Sequence, residues 1–388
     1  MRIEWRKVKL GDVGVVSRGK SKHRPRNDQN LYGGQYPFLQ TSDIKNANYF
    51  VDSFSQTYNE IGLKQSKLWD KGTLCITIAA NIAESAVLAF PACFPDSIVG
   101  FIPYKGMSDT RFMKYVLDNY KVEFQKRSKG ATQDNLSVEK LNSLLLNIPN
   151  YEYQVKVSNI IRNYDDLIEN NEKRIKILEE MAQRLYTQWF VKFEFPGHKK
   201  IKMVESGTEY GMIPEGWEVR KIGACLEVIP KKQQIKTNEY LAKGKYPIVD
   251  QGSNFISGYT DNDEAVYDED LIVFGDHTRC FKYCNFHFAR GADGTQLLKS
   301  GDSKRIPEIL LYFLVKNVGL KDYKYARHFK FLKALHIIIP KENISNDFQF
   351  SVNHLYKLIH RYNTQNDNLI KFRDILIENL ITGKRLLI

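Results

Sequence analysis

The chain has 388 residues, 43% apolar and 26% charged, which are ordinary proportions for packed globular protein and more length than one usual domain needs. Its 57 Lys and Arg against 45 Asp and Glu leave a net charge of +12, which suits a polyanionic partner such as nucleic acid while remaining compatible with other roles. No stretch approaches the roughly 18 apolar residues that span a bilayer, and five cysteines (Cys75, Cys93, Cys225, Cys280 and Cys284) are too few and odd in number for a disulfide scaffold.

The opening, Met1 to Trp5, runs directly into a strand-like alternation with no apolar signal region, so a cytoplasmic protein is expected. From Trp5 to Ile148 short apolar runs alternate with turn residues. Leu74–Ile78 and Ser97–Ile102 are bounded by Asp70-Lys-Gly72 and Pro103, and read as strands of a sheet-containing globule. A helix is predicted from Asp109 to about Phe124, with Phe112, Tyr115, Val116 and Tyr120 at three-and-four spacing.

The next segment is far more regular. Ile161, Tyr164, Ile168, Asn171, Ile175, Leu178, Ala182, Leu185 and Trp189 alternate in steps of three and four, the pattern of a coiled-coil seam. Phe195-Pro196-Gly197 is expected to stop this helix, because proline lacks the donor and restricts its predecessor. A second block, about Ile213 to Pro340, carries a strand at Leu271–Phe274 and a short helix at Pro307–Val318. A terminal helix repeats the seam through Val352, Leu355, Ile359, Tyr362, Asn366, Leu369, Arg373, Leu376 and Leu380, with Gly383 closing it. At about 1.5 Å per residue a helix near 40 residues reaches on the order of 60 Å, the length of a spacer.

The second half therefore reads as a copy of the first. Setting Asn171 on Asn366 gives 366 − 171 = 195, and the same offset carries Ile175 onto Ile370 and Leu185 onto Leu380. Both blocks open on a tryptophan, Trp5 to Leu10 and Trp217 to Ile222. Buried together, two such seams pair most simply antiparallel, and the asparagines would specify their register at a cost in stability. The competing reading leaves both asparagines facing solvent or a partner.

Two motifs invite enzyme or metal readings. Gly14 to Ser21 matches the phosphate-loop pattern letter for letter, yet Lys22 to Arg26, with Pro25 restricting Arg24, is a poor start for the helix that pattern requires. His277, Cys280, Cys284 and His287 could be counted as zinc ligands, but on a flat strand the cysteines and histidines fall on opposite faces. No metal is expected, and no adenine-methyltransferase motif of Asn or Asp before Pro-Pro and an aromatic is present.

Asn171 to Val191 is similar to the central conserved helix of the specificity subunits of type I restriction-modification enzymes, and Ile213 to Val219 to the opening of their second recognition domain. Gly275 to Arg279 followed by Gly291 to Gly294 resembles a recurring recognition-domain pattern. The resemblance covers essentially the whole chain. It implies an α+β protein in which two mixed α/β target-recognition domains with twisted sheets have pseudo-twofold symmetry and are separated by two long antiparallel coiled-coil helices. Residues 1–150 and 213–341 would be the recognition domains, 151–195 and 342–388 the conserved helices, and 196–212 a linker. It implies a non-catalytic subunit that reads a bipartite site in double-stranded DNA and docks two modification subunits that methylate adenine, with restriction subunits joining the complex. S-adenosylmethionine, ATP and Mg would sit on those partners, with no cofactor in this chain. The alternatives are a protein-binding coiled-coil scaffold and a phosphate-loop ATPase.

Four clusters are candidate DNA contacts. Arg18, Lys20, Lys22, Arg24 and Arg26 form a basic segment suited to phosphates, or an ordinary solvated loop. Lys126, Arg127, Lys129, Thr132 and Gln133 combine charge with an amide that could read adenine, although Gln133 reads equally as a turn or capping residue. Asp276, His277, Thr278, Arg279 and Lys282 leave a buried-looking strand, where Arg279 could grip guanine or, alternatively, Asp276 caps backbone donors and Arg279 pairs locally. Lys324, Tyr325, Arg327, His328 and Lys330 occupy the place of the Lys126 cluster in the second unit.

Overall fold

The computed structural model describes residues 3–47, 49–79, 82–128, 137–143, 145–321 and 327–387, with the backbone alone for 122–128. The chain divides into two compact units, Met1–Asn170 with Gln365–Ile388, and Asn171–Thr364. Each long helix therefore gives one half to each unit.

In unit 1 the strand Trp5–Lys9 pairs antiparallel with Leu145–Pro149, Val8 opposite Leu146. This pair ties the start of the chain to the start of the first long helix, where the Asn150 amide donates to the Glu4 carbonyl at 3.0 Å. A five-stranded sheet has the order Gly14–Arg18, Ile98–Pro103, Leu74–Thr77, Ser85–Leu88, Phe50–Val51. Every residue of Leu74–Thr77 and Ser85–Leu88 is buried, which is why these strands read as continuous apolar runs rather than as an alternation. The helix Thr110–Ser128 starts where Asp109 caps it, its Oδ1 accepting from the Phe112 amide at 2.9 Å. Phe112 and Val116 then pack with Leu74, Val99, Val157 and Ile161, and Leu380 and Ile381 from the end of the chain complete this core.

Unit 2 repeats the plan. Glu218–Lys221 pairs antiparallel with His336–Ile339, and Leu271–Gly275 lies between Phe281–Cys284 and Thr295–Leu298. A four-stranded sheet runs Gly258–Thr260, Tyr246–Val249, Phe288–Arg290, Val266–Tyr267. The helix Glu308–Lys316 follows Pro307, whose missing donor and fixed φ suit a helix start, and buries Ile309 through Val315. Its Phe313 packs with Tyr186, Trp189, Phe190 and Phe348 of the long helices.

The long helices are Tyr151–Tyr186 and Glu342–Leu376, and each ends in a π-helical turn, Thr187–Val191 and Ile377–Ile381. Within each unit their halves run antiparallel. In unit 1 the Leu387 amide donates to the Tyr153 hydroxyl (3.2 Å) and Arg373 meets Asp165 (3.0 Å). In unit 2 Arg174 donates to the Tyr362 hydroxyl (3.1 Å), and Tyr186 packs on Phe348. Of the seam residues expected from sequence, Ile161, Ile168, Asn171, Ile359, Asn366 and Leu380 are buried, and Tyr164, Ile175, Leu178, Leu185, Leu355, Tyr362, Leu369 and Leu376 are half-buried.

Two details differ from the sequence reading. Burial matches Tyr153 with Ile344, Val157 with Phe348, Ile161 with Val352 and Trp189 with Leu380, an offset of 344 − 153 = 191 rather than 195. The four-residue difference is about one helical turn and keeps the same face, so seam spacing alone does not separate the two alignments. At 191 the counterpart of Asn171 is Tyr362, and the two asparagines are not equivalent. The first long helix also ends before Pro196: its chain reverses at Phe193, left-handed at φ +59°. Gly383 serves the same purpose in the second helix at φ +74°, where a Cβ would lie 2.8 Å from the Trp5 ring. Phe193 in turn packs edge-on against Trp217, so both opening tryptophans receive the end of a long helix.

Candidate nucleic-acid interface

In unit 2 the strands Leu271–Gly275 and Phe281–Cys284 are joined by the tip Asp276 to Arg279. The Gly275 amide donates to the Cys280 carbonyl (2.9 Å) and the Arg279 amide to the Gly275 carbonyl (2.8 Å). Arg279 takes φ +60°, a left-handed conformation that costs a non-glycine residue on the order of 1–2 kcal/mol. In unit 1 the strands Leu74–Thr77 and Ser85–Leu88 close the same way. The Thr77 amide donates to Glu84 and the Ala83 amide to Thr77, both at 2.9 Å, and Ala83 has φ +62°. In both units, then, a left-handed residue stands just before the return strand of this hairpin, Ala83 in one and Arg279 in the other.

Within unit 2's tip the side chains divide. Asp276 is 2% exposed and faces inward: its Oδ1 accepts from the Phe329 amide (2.7 Å), its amide donates to the Gly294 carbonyl (2.8 Å), and its carbonyl accepts from both the amide and Nδ1 of His328 (2.9 Å each). His328 is buried with it. Lys282 is also buried, and its ammonium donates to the carbonyls of Asp250 (2.7 Å) and Asn254 (2.5 Å). Burial lowers the Lys282 pKa, with neighbouring Cys280 and Asp250 opposing. Asp276, Lys282 and His328 therefore brace the loops from behind. His277 and Thr278 are exposed and Arg279 is half-buried, while Arg327 and Lys330 are exposed beside the short helix Phe329–Ala334.

Asp250 anchors the adjoining loop. Burial raises its pKa, but bonds from Ser257 (2.6 Å), the Gly252 amide (2.8 Å) and the Tyr240 hydroxyl (3.0 Å) outweigh that and hold it below the ordinary carboxylate value. Sequence reasoning missed this loop, whose signal was a strand, Tyr246–Val249, running into Asp250-Gln-Gly252. A cavity of about 300 Å³ is lined in part by Lys231, Arg290, Phe329 and Lys333, and the Arg290 Nε there is buried with no partner among the described residues.

In unit 1 Arg18, Lys22, Arg24 and Arg26 are exposed and Lys20 half-buried, all on one segment. Arg24 donates to the carbonyls of Ser21 and His23 (2.7 Å each), and Arg26 pairs with Asp96 at 2.5 Å. The phosphate-loop reading fails on geometry. Gly14–Arg18 is a strand hydrogen-bonded to Val99–Pro103, and residues 22–28, which directly follow Ser21, form no helix. Nor do His277, Cys280, Cys284 and His287 gather, since Cys284 is fully buried on its strand while His287 is exposed; among the described residues no cluster has a metal-holding set. The side chains of Lys126 and Arg127, and residues Lys129, Thr132, Gln133, Lys324 and Tyr325, lie outside the described residues.

Residues 2–180 match the family described as the type I restriction modification DNA specificity domain. The type I restriction enzyme MjaIX specificity subunit of Methanocaldococcus jannaschii is 26% identical, over 98% of this chain and 93% of its own. Residues 2–180 thus carry that specificity domain, and along nearly its whole length the chain is similar to type I restriction-modification specificity subunits. The HindI specificity subunit of Haemophilus influenzae is 26% identical over 53% of this chain and 44% of its own. The crystal structure of an S subunit from M. genitalium shares the fold, with a TM-score of 0.62 at 15% identity over 98% of this chain and 96% of that one. The function these matches support is DNA recognition as the specificity subunit of a type I restriction-modification complex, with catalysis on the partner subunits of such systems. No described helix of the subunit is long and apolar enough to cross a membrane.

Proposed function

We propose that this specificity subunit acts in the cytoplasm and reads a bipartite site in double-stranded DNA, one half-site per globule, residues 1–150 and 213–341, while the long helices fix the spacing and dock two modification subunits. The repeated hairpin tip, turning on Ala83 in unit 1 and Arg279 in unit 2, carries this reading, because two equivalent tips suit two half-sites. Linking two such modules makes the second contact intramolecular only where the DNA spacing matches, so the helix length becomes sequence information.

Arg279, His277 and Thr278 are the base-reading candidates of unit 2, and Arg18, Lys20, Lys22, Arg24 and Arg26 meet phosphates in unit 1. Arg327 and Lys330 continue the backbone contact in unit 2, and the Arg290 cavity is a seat for a further phosphate. Lys324 and Tyr325 adjoin Arg327 in sequence, the segment holding Lys126, Arg127, Lys129, Thr132 and Gln133 has the corresponding place in the first half of the chain, and both are assigned to the same contact. Adenine methylation with S-adenosylmethionine belongs to the modification subunits, and ATP- and Mg-dependent translocation and cleavage to the restriction subunits. Single-molecule sequencing of host DNA with and without the gene tests the reading. Loss of methylated adenine at one bipartite motif is expected; an unchanged pattern with the modification subunit expressed would overturn it in favour of a protein scaffold.

A further inference from the structure

Three loops of unit 2 meet at one side chain that the recognition reading does not use. Gln251 donates from Nε2 to the Asp293 carbonyl at 2.6 Å and accepts at Oε1 from the His277 amide at 3.2 Å. The facing groups fix the amide's orientation, since a carbonyl only accepts and a backbone amide only donates. Its backbone joins the same places. The Gln251 carbonyl accepts from the Thr278 hydroxyl (2.7 Å) and from the Cys280 thiol (3.1 Å), and its amide donates to the Thr295 hydroxyl (3.2 Å).

The surrounding backbone is shaped for this contact. Gly294 has φ +81°, and a Cβ there would sit 2.7 Å from the Gln251 Nε2 and 2.8 Å from the His277 ring. Ala292, in the same loop, is held at φ +36°. The left-handed Arg279 is two residues from the amide that Gln251 holds. Strained backbone persists only where its surroundings over-determine it, and here a single side chain supplies two of the constraints from a third loop. A reading surface fixed before DNA arrives does not have to order its loops on binding, and its wrong-base complexes lose geometry that a floppy tip would recover.

We propose that Gln251 is the positioning residue for DNA-sequence selection by unit 2: its amide locks the His277–Arg279 tip and the Gly291–Gly294 loop into one frame, so that Arg279 meets a base edge in one orientation. The proposal rests on the recognition reading above. It predicts that Gln251 acts on specificity only through the tip.

The test uses the full chain co-expressed with its modification subunits, with methylated adenines mapped genome-wide for wild type, Gln251→Ala, Gly294→Ala, Arg279→Ala and the double variant Gln251→Ala/Arg279→Ala. A bipartite motif in wild type upholds the recognition reading, and its absence removes both that reading and this one. Given the motif, Gln251→Ala should relax one half-site by at least tenfold in discrimination, leave the other half-site and the spacing unchanged, and relax the same positions as Arg279→Ala. The double variant should be no worse than Arg279→Ala alone, because a misplaced guanidinium and an absent one forfeit the same contact. Gly294→Ala should reproduce Gln251→Ala. The proposal is overturned if both half-sites stay sharp in Gln251→Ala, if the two substitutions multiply, or if both half-sites fade together with a falling melting temperature, the mark of a merely structural residue.

Discussion

Arg373 interrupts the apolar seam of the second long helix, and the structure shows what it meets. Its Nη1 donates to the Asp165 Oδ1 of the first long helix at 3.0 Å, while the Tyr115 hydroxyl of the Thr110–Ser128 helix donates to Asp165 Oδ2. Burial and the Asp165 carboxylate both push the Tyr115 pKa up, so this phenol stays protonated and keeps donating at any ordinary pH. One carboxylate therefore joins three helices of unit 1. Asp165→Ala leaves Tyr115, 4% exposed, without its acceptor and Arg373 without its carboxylate across the seam. A hydrogen bond to a charged group contributes about 1.5–3 kcal/mol, but the Arg373 and Asp165 side chains are 27% and 18% exposed and Arg373 keeps Asp374 at 2.9 Å, so the ion pair falls below that range. The substitution should cost about 2–3 kcal/mol in total, with about 1 kcal/mol of coupling to Arg373 and about 1.5 kcal/mol to Tyr115. Hydrogen-exchange opening energies of the 151–170 amides read unit 1 without assuming that the whole chain unfolds in one step. Couplings below about 0.5 kcal/mol in both double-mutant cycles, with Arg373→Met and Tyr115→Phe as partners, would refute the three-helix junction.

Arg279→Ala should relax base choice at one position by about 1–3 kcal/mol, whereas Lys22→Ala weakens all sequences alike; equal sequence profiles from the two variants would remove that division. Arg279→Gly should be more stable than Arg279→Ala by about 1 kcal/mol in urea unfolding, because both lack the guanidinium and only glycine relieves the left-handed strain. Glu218 accepts from Arg305 at 2.6 Å and from Arg220 at 2.5 Å; the Arg305 bond comes first among the causes that hold its pKa below the ordinary 4.5 despite partial burial. A depressed carboxylate stabilises the fold above its unfolded value and loses that contribution as pH falls through the folded one, so unit 2 should weaken on acidification below about pH 4.5, and Glu218→Gln should flatten the urea midpoint against pH there. Replacing the buried Asn171 and Asn366 with leucine should admit alternative helix alignments, seen as a broader thermal transition; a single, equally sharp transition would dismiss them as register residues.

Periodicity carries far in this chain because its signals are local. The three-and-four spacing from Ile161 to Leu185 picked out residues that are buried or half-buried, and the apolar runs at Leu74 and Leu271 marked the central strands, since a helix face and a doubly buried strand each write their burial directly into residue order. The duplication was legible for the same reason, and the family through the resemblance of Asn171 to Val191 and Ile213 to Val219 to its motifs. The alignment of the two copies was not, because a slip of one turn preserves the face and only burial against the rest of each unit separates 191 from 195.

The surroundings of the charged side chains in unit 2 depended on contacts between residues far apart in sequence. Asp276 and Arg279 are three residues apart with equal claims to DNA by composition, yet Asp276 caps the Phe329 amide 53 residues on and is lost to the surface. Lys282 looks like a phosphate contact until its ammonium is found on the Asp250 and Asn254 carbonyls. The strand before it marked the loop but not Gln251 itself, which is one polar residue among others until the fold brings His277 and Asp293 to its two ends. The sequence by itself determined the repeated plan and the helices, because these follow from spacing along the chain; tertiary structure decided which charged side chains are buried against partners and which are exposed, because a buried polar group must find a partner and only the fold brings that partner within reach.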